Sequence, residues 1–230
     1  TLILCSGIAT IAQTKKNKHQ IIAINAAEIS TGTNSKAIIN VTIINGLGGE
    51  PLTEGCVLIK DGKIQEVGKM SDVSIPAAAE ITDASGMYLL PGFIDSHFHL
   101  DRTKGLPAKF LQHGVTSIRD PGAWIESYDE ERKSGKKIPR LFLTGPHFDM
   151  PPPAYPYDAY IVRDNYEAIK QVNALADQGA TALKIYFRVP PGMIQAICST
   201  AHQRGIPVTA HLEITEAMIA IEAGLDGVEH

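Results

Sequence analysis

The chain changes character at Leu90-Pro91-Gly92-Phe93-Ile94-Asp95-Ser96-His97-Phe98-His99. Before it, from Lys36 on, short β-rich runs at 37–45, 55–60 and 63–68 are separated by turn residues: Gly46, Gly48, Gly49 and Pro51, then Asp61-Gly62. Asp-Gly between two apolar runs predicts a hairpin, because a two-residue type I′ turn needs positive φ at both central positions. This part reads as a small all-β unit. After Pro91-Gly92 the period changes, and apolar β-branched runs alternate with amphipathic helices. Strands are expected at 115–118, 141–143, 182–187, 208–212 and 225–228, and helices at 165–178, 192–203 and 214–223.

A weak internal repeat supports the alternation. Gly114, Gly179, Gly205 and Gly224 each stand between a helical pattern and the next strand, where a left-handed helix C-cap is wanted. Repeated β-then-α units imply a parallel sheet, either open and doubly wound or closed into a barrel, with the active site at the strand C-termini in both cases. The Pro-rich stretch 151–156, with Tyr155 and Tyr157, reads as a long βα loop after the strand at 141–143.

Composition narrows the function classes. The 230 residues are 44% hydrophobic and 20% charged, as in a globular protein with a real core, and the net charge of −4 gives no basic surface for nucleic acid. No apolar run reaches the roughly 18 residues of a membrane span. Cys5, Cys56 and Cys198 have neither CxxC nor finger spacing, which excludes a disulfide scaffold and a zinc finger, and Cys56 and Cys198 read as buried thiols. Gly46-Leu47-Gly48-Gly49 lacks the GxGxxG spacing of a dinucleotide fold. Residues 1–20 are expected to be a signal-peptide remnant and polar linker: Leu2, Ile3, Leu4, Ile8 and Ile11 form an apolar region, and Thr10 and Ala12 suit the −3 and −1 positions of a cut. The expectation is an exported protein, periplasmic or secreted. The alternative for this segment is a buried N-terminal strand or helix.

The histidines carry the chemistry. His97 and His99 are two residues apart on a β-run, so both side chains leave one face, where two imidazoles can share a metal. Alone, such a pair is equally a pair of solvent-facing or hydrogen-bonded histidines. His211 and His230 each follow a later strand, so four histidines are expected at one mouth, a donor set suited to Zn, Mn or Fe(II). Lys184 interrupts Ala182-Leu183-Lys184-Ile185-Tyr186-Phe187, a run that otherwise reads as buried on both faces. Either the ammonium snorkels outward or pairs with a carboxylate, or the amine has taken up carbon dioxide as a carbamate, an anionic ligand able to bridge two metals. His147, Tyr186 and Arg188 stand at strand ends where they could hold substrate, Tyr186 and Arg188 against an anionic group; for Tyr186 and Arg188 the alternatives are a core ring and a solvated loop charge. His113 and His202 lie in or beside helices and are not assigned.

These motifs, with His113-Gly114-Val115-Thr116-Ser117-Ile118-Arg119-Asp120-Pro121-Gly122, the run from Gly179 to Tyr186 and the two single-His strand ends, resemble the metal-dependent amidohydrolase superfamily, more closely its imidazolonepropionase-like and prolidase-like members. The resemblance covers Lys36 to His230. It implies an α/β fold, a (β/α)8 TIM-type barrel beginning with residues 93–230 and carrying the first six strands. It also implies a partial β-sandwich at 36–92 that chain beyond His230 would complete. It implies two divalent metals, zinc first with Mn or Fe as alternatives: His97 and His99 on one, His211 and His230 on the other, Lys184 as the carbamate bridge. The implied function is hydrolysis of carbon–nitrogen bonds in amides, cyclic amides or dipeptides by a metal-activated hydroxide.

One departure stands out. The family places a proton-shuttling Asp on the eighth strand, and the present residues stop at the sixth; Asp95, Asp101 and Asp120 are not promoted to that role. The 230 residues alone are therefore expected to be inactive and poorly soluble, with Ile38, Val41 and Ile43 lacking a covering layer. The partners expected are a small-molecule substrate and the missing C-terminal part, with a homo-oligomer left open. A lactonase or phosphotriesterase-like hydrolase, or a metal-binding pseudoenzyme, are the alternative functions.

Overall fold

The computed structural model describes residues 21–29, 32, 34–100 and 103–229. The leader segment 1–20, Asp101 and His230 lie outside the described residues.

The N-terminal part forms one five-stranded sheet from β1 (Lys36–Ile43), β2 (Leu52–Lys60), β3 (Lys63–Lys69), β4 (Glu80–Asp83) and β5 (Tyr88–Leu89), in the order β3-β2-β1-β4 with β5 also on β1. The β2–β3 hairpin turns at Asp61 and Gly62 with φ of 50° and 71°, as the Asp-Gly signal predicts. Contrary to expectation, Val41 and Ile43 are buried, at 1% and 8% exposure, against Val57 and Ala84, and Ile38 packs on the same cluster. A register shift between Ile38 and Val41, where Asn40 takes φ 58°, decides which side chains share that cluster. An extra residue in a strand reverses its face parity. Ala37 and Ile39 therefore go to a second cluster with Cys56, Leu58 and Val73, while Ile38, Val41 and Ile43 share the first.

From Pro91 onward the strands are parallel. One sheet holds β6 (Phe93–Asp95), β7 (Val115–Asp120) and β8 (Arg140–Leu143); the other runs in the order β10-β9-β11-β12-β13, from β9 (His147–Asp149), β10 (Ala159–Ile161), β11 (Leu183–Ile185), β12 (Val208–Ala210) and β13 (Gly227–Val228). The Thr181 N–H donates to the Leu143 carbonyl at 2.8 Å, so backbone hydrogen bonding continues from β8 to the segment entering β11. The Arg119 side chain on β7 reaches Thr209 on β12 at 2.7 Å, which requires the parallel strands to curl toward each other. The Pro-rich stretch connects β9 to β10, two short strands that composition did not reveal.

The helices are α1 (Leu106–Gln112), α2 (Asp129–Lys133), α3 (Asn165–Asp177), α4 (Pro191–Gln203) and α5 (Ala217–Glu222). Asp164 caps α3 by accepting the Glu167 N–H at 2.8 Å, and the Glu167 carboxylate reaches back to the Arg163 N–H. Helix α4 opens with Pro191, whose missing N–H costs nothing in the first turn. Helix α5 starts later than its apolar pattern suggests, because Ile214 N–H and Thr215 Oγ1 are bonded to the Phe187 and Val189 carbonyls. Gly114, Gly179, Gly205 and Gly224 all have positive φ, between 72° and 107°, as the repeat predicts. The core joins Ile118, Leu141, Phe148, Leu183, Ile185 and Val208 from the strands to Val172, Leu175, Ile194 and Ile197 from α3 and α4. Cys56 and Cys198 are free and buried, as read. Among the described residues no helix is long and apolar enough to cross a membrane.

Gly92 shows why the Pro-Gly-Phe-Ile-Asp stretch needs its glycine. A Cβ at this position would lie 2.2 Å from Thr116 Cγ2 and 2.4 Å from Thr116 Oγ1, and the branched threonine side chain has few rotamers to escape into. Gly92→Ala is expected to destabilise the fold by about 1–3 kcal/mol, read as a lowered urea midpoint with the slope unchanged. An unaltered midpoint would mean that Thr116 yields freely.

Candidate functional site

The parallel strands place most of the expected site residues around one cavity of about 350 Å³, lined by His97, His99, Asp120, His147, Tyr155, Asp158, Lys184, Tyr186 and His211, with Leu100, Pro121, Gly122 and Ala123. His97 and His99 follow β6. Between them Phe98 donates its N–H to Arg119 and buries its ring against Phe110, at 4.9 Å between centroids, so the flanking imidazoles emerge on the opposite side. Their Nε2 atoms are 3.2 Å apart. Behind them, His97 Nδ1 lies 2.5 Å from Glu229 Oε2, and His99 Nδ1 faces Asp120 Oδ1 at 3.8 Å. Burial is the largest influence on His97 and holds its pKa below the ordinary histidine value despite Glu229.

Asp120 organises the loop after β7. Its fully buried carboxylate accepts the N–H groups of Leu100, Gly122 and Ala123 and the Tyr128 hydroxyl. Asp149 does the same after β9, accepting the N–H groups of Met150, Ala154 and Arg188 and thereby fixing the Pro-rich loop that carries Tyr155.

Lys184 sits in β11 with 2% exposure, so the strand is buried on both faces as its sequence predicts. Burial lowers its pKa to about 8 in spite of Glu229, whose Oε1 is 3.5 Å from Nζ. Glu229 is itself almost buried. Burial would raise its pKa, but hydrogen bonds from Thr209 and Arg119, with the charges of Lys184 and Arg119, bring it down to about 2. As an ammonium Lys184 is thus a partnered cation. Neither Glu229 nor Arg119 was singled out from sequence. The available signal was the one that exposed Lys184, a charge inside an apolar parallel strand.

His147 is 4% exposed, with a pKa lowered to about 4 chiefly by burial, and its Nε2 has no hydrogen-bond partner. Rather than sitting in a loop, it opens β9. Its ring lies 4.3 Å from that of Tyr186, which stacks on Phe187, and the His211 ring meets both at 5.0 and 4.6 Å. Arg188 is not among the lining residues; its guanidinium faces Asp149, with Nη1 3.9 Å from Oδ2. Lys184 is the only ammonium or guanidinium group among the described lining residues. His113 ends α1, and His202 pairs with Asp226 at 2.7 Å; neither lines the cavity.

The residues present suit a divalent metal. Two nitrogens each about 2.0–2.1 Å from a tetrahedral zinc stand about 3.3–3.4 Å apart, close to the 3.2 Å between His97 Nε2 and His99 Nε2. For His97 the Glu229 carboxylate behind Nδ1 leaves the lone pair on Nε2, the usual arrangement around a metal-ligating imidazole. Among the described residues no group of three His, Cys, Asp or Glu side chains forms a complete ion site. A full site therefore needs a donor of another kind, such as one from Lys184, or a residue outside the described set, such as His230.

A profile of the amidohydrolase family matches residues 88–230. An adenine deaminase of Listeria welshimeri is 40% identical over 85 residues, 35% of this chain and 14% of the deaminase. An N-acetylglucosamine-6-phosphate deacetylase of Lysinibacillus sphaericus is 27% identical over 205 residues, 79% of this chain and 51% of the deacetylase. Among solved structures, a Bifidobacterium longum protein assigned as a prolidase superposes with a TM-score of 0.71 at 26% identity, over 86% of this chain and 54% of that one. The ochratoxinase of A. niger superposes with a TM-score of 0.69 at 20% identity, over 86% of this chain and 60% of its own. The chain thus spans about half the length of the deacetylase and of the Bifidobacterium protein.

Proposed function

We propose, from the premise that this chain belongs to the amidohydrolase family, that its protein is a metal-dependent hydrolase of carbon–nitrogen bonds in amides, cyclic amides or dipeptides. We further assign residues 93–230 to the first six strands of a (β/α)8 barrel and residues 36–92 to part of a β-sandwich. The observation that carries the reading is the convergence of His97 Nε2 and His99 Nε2, 3.2 Å apart, on a cavity shared with His147, Lys184, Tyr186 and His211.

His97 and His99 would hold one metal, His211 and His230 a second, with Lys184 as a carbamate between them; zinc suits the imidazoles, with Mn and Fe(II) as alternatives. Bound there, the metals would supply Lewis acidity and a water of lowered pKa. The chain's own residues do the rest. His147 is kept neutral by burial, so it can donate one hydrogen bond to a substrate carbonyl without adding charge to the site. Tyr186 and Tyr155, 5.7 Å apart between ring centroids, offer apolar faces to the part of the substrate next to the scissile bond. Leu100 and Pro121–Ala123 complete the lining of the cavity. Arg188, turned to Asp149, needs a change of rotamer before it can meet an anionic substrate group.

The test is a panel of cyclic amides, dipeptides, N-acyl amines, lactones and phosphotriesters, assayed with the full gene product after metal depletion and zinc reloading. The reading expects zinc-dependent release of amine and no comparable turnover of the esters. Preferred turnover of lactones or phosphotriesters would overturn the bond class.

Export belongs to the same proposal, supported by the apolar run from Leu2 and the small residues near Ala12. Protein recovered from its native host should begin near Gln13 and lie outside the cytoplasm, which N-terminal sequencing of fractionated cells checks; an intact leader on cytoplasmic protein would refute it.

A further inference from the structure

We propose that Glu229, clamped by Arg119 and Thr209, is a positioning residue that sets the tautomer and ring orientation of His97, and so decides which imidazole nitrogen faces the cavity. The inference rests on the reading of His97 and His99 as a metal pair and adds to it the device that prepares the pair.

The two oxygens of Glu229 have separate partners. Oε1 accepts Arg119 Nη1 at 2.6 Å and the Thr209 hydroxyl at 2.6 Å, while Oε2 stands 2.5 Å from His97 Nδ1. A carboxylate has only acceptors to offer, so His97 Nδ1 must carry the proton of that bond. The Nε2 lone pair is then aimed into the cavity. The 3.2 Å contact between the two Nε2 atoms then takes His99 as its donor. To offer its own Nε2 lone pair to a metal, His99 would move that proton to Nδ1, where Asp120 Oδ1 stands 3.8 Å away.

The clamp is well anchored. Arg119 on β7 also donates Nη2 to Thr209 Oγ1 at 2.7 Å and Nη1 to the Ser96 carbonyl at 3.3 Å, next to His97 in the chain. Glu229 follows β13, Thr209 lies in β12, and the carboxylate side chain is 8% exposed. Arg119 and Thr209, from two separate strands, thereby lock one oxygen atom and leave the other in register with one imidazole. Arg119 matters for a second reason. Lys184 Nζ is the other cation near Glu229, at 3.5 Å, and conversion of Lys184 to a carbamate would remove that positive charge and add a negative one. Arg119 would then be the cation that keeps Glu229 ionised and in place. An unpaired buried carboxylate would otherwise turn away or take up a proton.

The experiment reads the tautomer directly. In metal-depleted protein, long-range 1H–15N correlation spectra should show His97 protonated at Nδ1, with the resonance assigned by its loss in His97→Gln. Arg119→Met/Glu229→Leu, which removes both charges so that neither is left buried alone, should shift His97 toward the Nε2-protonated form. It should also weaken zinc retention against a competing chelator by about 10–100-fold. Glu229→Gln keeps an acceptor for Nδ1 and should preserve the tautomer, a rescue that a purely structural role does not predict. Nε2 protonation of His97 in the unsubstituted protein, which needs no variant to fold, would overturn the proposal. So would an unchanged tautomer and zinc retention in the folded double variant. If the unsubstituted protein takes up no zinc while His97 is protonated at Nδ1, the hydrolase reading fails and the clamp stands.

Discussion

His97→Ala/His99→Ala is expected to remove at least one metal equivalent and to lower zinc-dependent amide hydrolysis by at least about 10³-fold, since a Lewis acid contributes several kcal/mol of transition-state stabilisation. The argument is geometric. Two Nε2 atoms stand 3.2 Å apart, that of His97 with its lone pair set by Glu229 and that of His99 able to offer its own once its proton moves to Nδ1, and alanine supplies no donor in their place. Folding should survive the double substitution. The His99 side chain is 64% exposed and that of His97 30% exposed, so neither leaves a core cavity, and Phe98 between them keeps its packing. Losing His97 does free one oxygen of Glu229, but Arg119 and Thr209 still satisfy the other. The measurements are elemental analysis after dialysis and the rate on the best substrate of the panel. Unchanged metal content would refute the pair as ligands. Metal loss without loss of rate would sever the metal from the chemistry.

Much of the parallel-strand architecture was legible because its signals are local. Glycines at the helix-to-strand joints have one conformational job, and Asp-Gly at a hairpin has another, so each can be read without knowing what packs nearby. The face parity of β1 was not legible, because the shift at Asn40 follows from how β1 pairs with β2 and from no feature of the strand's own sequence. For the same reason β9 and β10 escaped notice: three-residue strands have no measurable period, and these two are defined by their parallel pairing of 147–149 with 159–161. At the site, histidines at strand ends could be found by spacing, since strand direction brings them to one mouth. What spacing could not show is pairing across the curled sheet. Arg119 and Glu229 are 110 positions apart, and only the curl makes them partners. Arg188 shows the converse, since adjacency to a site strand suggested a substrate role while its backbone N–H and guanidinium both turn to Asp149.

Lys184 offers the second large effect, and the direction of each substitution separates two roles for one side chain. As a buried ammonium it would serve to balance Glu229, 3.5 Å away, and Arg would serve nearly as well. As a carbamate it would be an anionic oxygen donor, formed when the neutral amine nitrogen adds to carbon dioxide and an N–H proton passes to solvent. Burial brings its pKa down to about 8, so the neutral amine that this addition requires is accessible near neutrality. Lys184→Arg keeps the positive charge but cannot form that ligand, and is expected to lower turnover by at least about 10²-fold, with weaker hold on both metals. Lys184→Ala should lose as much and then recover in part when a short carboxylate such as formate or acetate is added, because the truncated side chain leaves room for an exogenous anion where the carbamate stood. The unsubstituted protein, by contrast, should lose activity when depleted of bicarbonate during metal reloading and regain it when bicarbonate is restored. Full activity in Lys184→Arg would show that charge alone suffices, and would reduce Lys184 to the counter-ion of Glu229.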